Sequence, residues 1–192
     1  MTRHLAHFCA AALLLSALPV LAAHDEVVKP LKTVVGSVRY SKDAAALKLF
    51  ANEDQGKLLL GDDWEKGTAD QRKEFTQLFQ TLFAKIAFPK VRKNFEHLDS
   101  ITYEEPKMDG ARAEVASTIL LMHPLKKQEL KLKYTLVNKD GWRVVDVAVL
   151  GDSMLQGIRD DQIGPIMKEG GWPHLLDLMR QKAKELEGQA AK

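Results

Sequence analysis

Beyond residue 23 the hydrophobic positions change period along the chain, and the changes mark out its elements. Val27, Val28, Leu31, Val34, Val35 and Val38 recur at helical spacing, and a second apolar set follows at Leu47, Leu49 and Phe50. They predict one or two amphipathic helices. Thr68 and Gln71 form a capping-box pattern ahead of Phe75, Leu78, Phe79, Leu82, Phe83 and Ile86, which stand at i, i+3, i+4 and i+7. This is the strongest helix signal in the chain. Pro89 has no amide hydrogen to give to a helix interior and is expected to kink or interrupt the helix, with Val91 and Phe95 continuing its apolar face.

The period then shortens to two. Ile101 and Tyr103, "ARAEVASTILLM", "ELKLKYTLV" and "WRVVDVAVL" read as four successive strands. Met108-Asp109-Gly110 and Asn138-Lys139-Asp140-Gly141 are hairpin turn signals, and Pro124 with Lys126 and Lys127 suggests a looser bend. In "ELKLKYTLV", alternation puts Leu130, Leu132, Tyr134 and Leu136 on one face and Lys131 and Lys133 on the other. In the last strand it puts Trp142, Val144, Asp146 and Ala148 on one face and Arg143, Val145, Val147 and Val149 on the other. Helical spacing returns from about Asp152 to Lys168, stops at Gly170-Gly171 and resumes at Pro173 with Leu175, Leu176, Leu178, Met179 and Leu186. The order helices, antiparallel meander, helices predicts an α+β domain with helices packed on one face of a curved sheet.

Composition narrows the class. With 28% charged and 45% hydrophobic residues over 192 positions, the chain is neither disordered nor polytopic, and one core is enough for its length. A net charge of +2 gives no footprint for nucleic acid. The start, "MTRHLAHFCAAALLLSALPVLAA", has basic Arg3, an apolar run from Ala10 to Leu18, Pro19 and a Val20-x-Ala22 cleavage pattern. A cleavable secretory signal over residues 1–22 is predicted, leaving a single exported domain, 23–192. The lone cysteine, Cys9, lies inside the signal, so the mature chain has no disulfide and no thiol nucleophile.

Candidate chemistry is sparse. There is no Gly-x-Ser-x-Gly, no glycine-rich phosphate cradle and no His-Glu-x-x-His; His24, His97, His123 and His174 are scattered. No metal or cofactor is expected. Lys126, Lys127, Lys131 and Lys133 read as a solvated face, with anionic headgroups or an acidic partner as the sharper alternative. Asp146 sits in a strand that is apolar on both sides, so its carboxylate must be paired; Arg72 and Arg159 are the candidate partners and its expected role is structural.

Four blocks in order, "LLLGDDW", "TADQRKEFTQLFQTLF", "GWRVVDVAVLGDSML" and "IRDDQIGPIMKEGGWPHLLDLM", resemble the periplasmic phospholipid-binding MlaC family, the toluene-tolerance auxiliary components of an ABC transport system. A hopanoid-associated branch of the same type, HpnM, is equally similar. The resemblance implies an NTF2-like fold with an apolar cavity for acyl chains between sheet and helices. It also implies phospholipid as ligand, and two partners: an inner-membrane ABC transporter with its MCE protein, and an outer-membrane lipoprotein complex. On this reading Phe75, Phe79, Leu82, Phe83, Ile101, Tyr103, Leu132, Tyr134, Trp142 and Val144 form the wall, and Met154, Ile158 and Ile163 gate the mouth. The chain departs from the family pattern at Ile158 and Phe88, where tyrosine is usual, and at Ile163, where phenylalanine is common. Two other functions are open to such a chain: a pocket enzyme assembling Tyr103, Tyr134, His123 and Asp146 on a hydrophobic substrate, and a structural adaptor of an export complex.

Overall fold

The computed structural model describes residues 18–190, with side chains from 24 to 189. Of the predicted signal, residues 1–17 lie outside the described part, and helix α1 (Leu18–Arg39) runs across the predicted cleavage point. No helix among the described residues is long and apolar enough to cross a membrane.

Helices α1, α2 (Asp43–Leu47), α3 (Asn52–Leu60), α4 (Asp63–Lys66) and α5 (Ala69–Phe95) come first. Strands β1 (Leu98–Tyr103), β2 (Lys107–Asp109), β3 (Arg112–His123), β4 (Lys126–Asn138), β5 (Trp142–Val149) and β6 (Asp152–Ser153) follow. Helix α6 (Met154–Ile158), a π-helical turn (Arg159–Ile163) and α7 (Gly164–Ala190) close the chain. The expected α+β architecture is present, with two short strands more than the predicted four.

The sheet is antiparallel, in the order β1-β3-β4-β5-β6, and β2 lies in line with β1 along the same edge of β3. The β2–β3 hairpin turns at Gly110-Ala111, with Gly110 at positive φ where a side chain is disfavoured. At Pro124-Leu125 the expected looser bend is instead a two-residue turn, because His123 pairs directly with Lys126. Alternation in β4 holds as predicted: Tyr134 and Leu136 are buried, Leu130 and Leu132 half-buried, and Lys131 and Lys133 exposed.

Strand β5 departs from its predicted register. Thr135 pairs with Asp146 and Leu136 with Val144, so Val145 is an extra residue, a β-bulge. Beyond the bulge the faces exchange. Trp142, Val144, Val147 and Val149 share the face of Leu132, Tyr134 and Leu136, whereas Asp146 and Ala148 share the opposite face with Lys133 and Thr135. The bulged Val145 carbonyl accepts a buried hydrogen bond from the Gln55 side-chain amide at 3.0 Å. The side of β5 away from β4 is covered at both ends: Leu49 and Ala51 exchange backbone hydrogen bonds with Val144, and β6 pairs with Ala148 and Val149.

Helix α5 opens on the predicted capping box. Thr68 Oγ1 accepts from the Gln71 amide, and the Gln71 side chain accepts from the Thr68 amide. Pro89 does not end the helix, which continues to Phe95. The predicted stop at Gly170-Gly171 appears as a break inside α7, where Gly171 takes a left-handed φ of 61° before Pro173 starts the next turns.

Two apolar clusters result. The first joins one sheet face to Val27, Val28, Leu31 and Val38 of α1 and Phe88 and Phe95 of α5. The second joins the first half of α5 to α3, α4, α6 and α7, around Trp64, Phe75, Trp172 and Leu175. Phe83 packs against both. Trp64 lies over Gly56 so closely that an added Cβ would stand 2.2 Å from its ring, which explains a glycine inside α3. Outside the clusters, Arg180 of α7 donates two hydrogen bonds to Glu74 of α5, at 2.7 and 2.9 Å, and binds the two long helices together.

Candidate functional site

The sheet face turned toward the helices is assembled row by row from strand register. Ala113, Leu136 and Val144 make one row; Val115, Tyr134 and Val147 the next; then Tyr103, Ser117, Leu132 and Val149; then Ile101, Ile119 and Leu130. A second bulge, at Asp99, brings Leu98 opposite Leu121 while Ile101 stays opposite Ile119, so both point the same way. The first row is buried under the helices. In the last two rows Ile101, Tyr103, Leu130, Leu132 and Val149 are only half-buried. An apolar surface is therefore incompletely covered at one end of the sheet, where a ligand could displace water from it.

Phe83 forms the facing helical wall. It stands edge-on to Phe50 and Phe88, with ring centroids 5.6 and 5.5 Å away, and 5.7 Å from Phe79. The aromatic spine of α5 thus runs from the helical cluster into the sheet cluster.

The expected wall residues fall into two groups. Phe83, Ile101, Tyr103, Leu132, Tyr134, Trp142 and Val144 meet in the sheet cluster. Phe75, Phe79, Leu82, Ile158 and Ile163 meet in the helical cluster, where Phe75 is 1% exposed and packs against Phe79, Trp64 and Trp172. Met154, the first residue of α6, is exposed. Val115, Ser117, Ile119, Leu130, Val147 and Val149 also belong to the sheet face. Those on β3 and β4 were readable from alternation; Val147 and Val149 were hidden by the bulge.

Asp146 has partners other than the arginines expected. Its carboxylate accepts from Ser153 Oγ at 2.5 Å and from the Leu155 amide at 3.1 Å, while Ser153 Oγ accepts from the Gln156 amide at 2.9 Å. The acid is tied to the N-terminus of α6, where Ser153 is the cap. Arg72 lies instead over the Trp64 ring, 5.8 Å from its centroid, and reaches Glu65. Arg159 lines a cleft of about 410 Å³ with Leu59, Leu60, Asp63, Ile163 and Lys168. A second cleft, of about 600 Å³, lies on the outer sheet face between Asp54, Lys57, Arg112, Glu114 and Asp146.

The constellation considered for an enzyme does not come together. Tyr103 and Tyr134 are on the inner face, Asp146 is on the outer one, and the His123 ring lies against that of His97, with centroids 4.4 Å apart, near the β3–β4 turn. Burial raises the pKa of both tyrosines above the ordinary phenol value. They stay neutral hydroxyls at physiological pH.

Residues 36–181 match the family model of the MlaC protein. The chain belongs to the MlaC family. Among solved structures, this MlaC-family chain is similar to a phospholipid-binding protein from Ralstonia solanacearum, determined in complex with a phospholipid. The TM-score is 0.69 at 16% identity, and the match covers 86% of this chain and 98% of the other. No curated protein matches the chain in sequence.

Proposed function

We propose that the protein is a periplasmic phospholipid carrier. Acyl chains lie against the half-covered inner face of the sheet, beside Ile101, Tyr103, Leu132 and Val149, with Phe83 opposite. The carrier exchanges lipid with an inner-membrane ABC transporter and its MCE protein on one side, and with an outer-membrane lipoprotein complex on the other. The observation that carries this reading is the half-covered apolar end of the inner face, in a fold shared with a protein solved with phospholipid bound. Each methylene removed from water is worth about 0.8 kcal/mol, so a chain of a dozen is held by roughly 10 kcal/mol. Exchange needs no bond to be made or broken. Its direction is set by partners that distinguish loaded from empty carrier.

Mass spectrometry under native conditions, on gently purified mature protein, tests the reading. A stoichiometric phospholipid adduct is expected. Protein that is consistently empty, and stays empty after incubation with phospholipid vesicles, would count against it.

A further inference from the structure

Three hydroxyls interrupt the four otherwise apolar rows of the inner face. Tyr103 on β1 pairs with Ser117 on β3, and Tyr134 on β4 lies two residues beyond Leu132, the partner of Ser117 in the β3–β4 ladder. Ser117 is 2% exposed and Tyr134 6%. The Ser117 hydroxyl donates to Tyr134 Oη at 3.2 Å, and the two tyrosine rings lie 6.2 Å apart. Tyr103 Oη is buried and has no hydrogen-bond partner among the described residues.

Three O–H donors therefore share one bond, and the protons of Tyr103 and Tyr134 are left without an assigned acceptor. Buried donors seldom go unmatched, because leaving one so forfeits its hydration with no return. Their neighbours Ile101, Val115 and Leu132 offer no side-chain acceptor. Hydrocarbon offers none either. An acyl carbonyl oxygen does, and it is the acceptor close to the chains that an ester-linked glycerolipid has and an ether-linked one lacks.

We propose that Tyr103, supported by Tyr134, donates a hydrogen bond to an ester carbonyl of the bound glycerolipid, so that the protein selects ester-linked over ether-linked lipid. The proposal rests on the carrier reading and adds to it a determinant of lipid class. Burial keeps both phenols protonated, as donation requires. Tyrosine gives up only one oxygen on becoming phenylalanine, so Tyr103→Phe removes the donor and keeps the wall.

The test is a competition. Mature protein is incubated with vesicles holding equimolar dioleoylphosphatidylglycerol, its dialkyl ether analogue and free oleate, and bound species are counted by native mass spectrometry. Wild type should be enriched in the diester about tenfold over the diether, the ratio expected for one to two net hydrogen bonds. Tyr103→Phe should bring that ratio near one through loss of bound diester, and Tyr134→Phe should lower it partway. A wild-type ratio near one, a ratio that Tyr103→Phe leaves unchanged, or enrichment of oleate over both glycerolipids overturns the proposal while leaving lipid carriage intact. A wild-type protein that takes up no lipid at all overturns both.

Discussion

Replacing Asp146 by asparagine tests how strand β5 is held. The carboxylate accepts two hydrogen bonds, from Ser153 Oγ and the Leu155 amide, and the residue is 9% exposed. Hydrogen bonds to a charged acceptor contribute about 1.5–3 kcal/mol each. In Asp146→Asn one oxygen still accepts from Leu155, but the amide nitrogen cannot accept from Ser153, so a loss of about 1.5 kcal/mol is expected. Asp146→Ala removes both acceptors and strands a buried amide, for roughly 3–4 kcal/mol. In a domain of this size those losses lower Tm by about 3–6 °C and 6–16 °C respectively. Urea unfolding and calorimetry measure them, and native mass spectrometry of the same samples follows bound lipid, which the asparagine variant should retain. A cycle with Ser153→Ala isolates the shared bond; the double variant should be about 1 kcal/mol less destabilised than the sum of the singles. Full additivity, or an asparagine variant as stable as wild type, would refute the role given to Asp146. So would a folded asparagine variant that had lost a chemical turnover shown by the wild type.

Two further outcomes follow from packing and burial. Gly56→Ala should destabilise by about 1–3 kcal/mol in urea despite alanine's better helix propensity, because its Cβ would meet the wedged Trp64 ring; a gain in stability would show that the indole moves freely. The buried phenols Tyr103 and Tyr134 should leave stability unaffected by pH up to about 10, the ordinary tyrosine value, and lower it above that. The unfolded chain ionises there first, while burial keeps Tyr103 and Tyr134 protonated in the folded state, so stability falls by about 1.4 kcal/mol per pH unit for each phenol. Urea midpoints between pH 9 and 11 should fall less steeply in Tyr103→Phe, and an unchanged slope would place the ring in water.

The sequence made some of this architecture legible and concealed the rest. In β4 the two faces meet opposite surroundings, apolar helices on one side and water on the other, so strict alternation reported the register correctly. The Thr68 and Gln71 cap was equally plain, because it is a contact between near neighbours. Strand β5 misled because it is apolar on both sides. A bulge at Val145 costs no change in composition there, and only the distant Gln55 and the Thr135 partner reveal it. Helix α3 was hidden by Gly56, whose reason lies in the ring of Trp64, eight residues on. Pro89 looked like an interruption, yet helix α5 continues with Phe88 and Phe95 buried on either side of it. For the site, residue type alone could pick out Phe83, Ile101, Tyr103 and Leu132 as core-facing. It could not separate them from Phe75, which serves a different core, nor show that Ser117 is set between two phenols.

The bulge and its ties have a consequence for how this protein can change. Gln55 holds the Val145 carbonyl, Asp146 holds Ser153 and the Leu155 amide, and Leu49 and Ala51 hold Val144 through backbone atoms alone. None of these ties uses a side chain of the inner face. The frame and the lining are thus inherited separately: substitutions among Ile101, Leu132, Val147 and Val149 can reshape the surface offered to a ligand without loosening the strands that present it. A fold shared with a solved protein at 16% identity is what such a division of labour permits. New cargo can be tried on an old scaffold, one apolar side chain at a time.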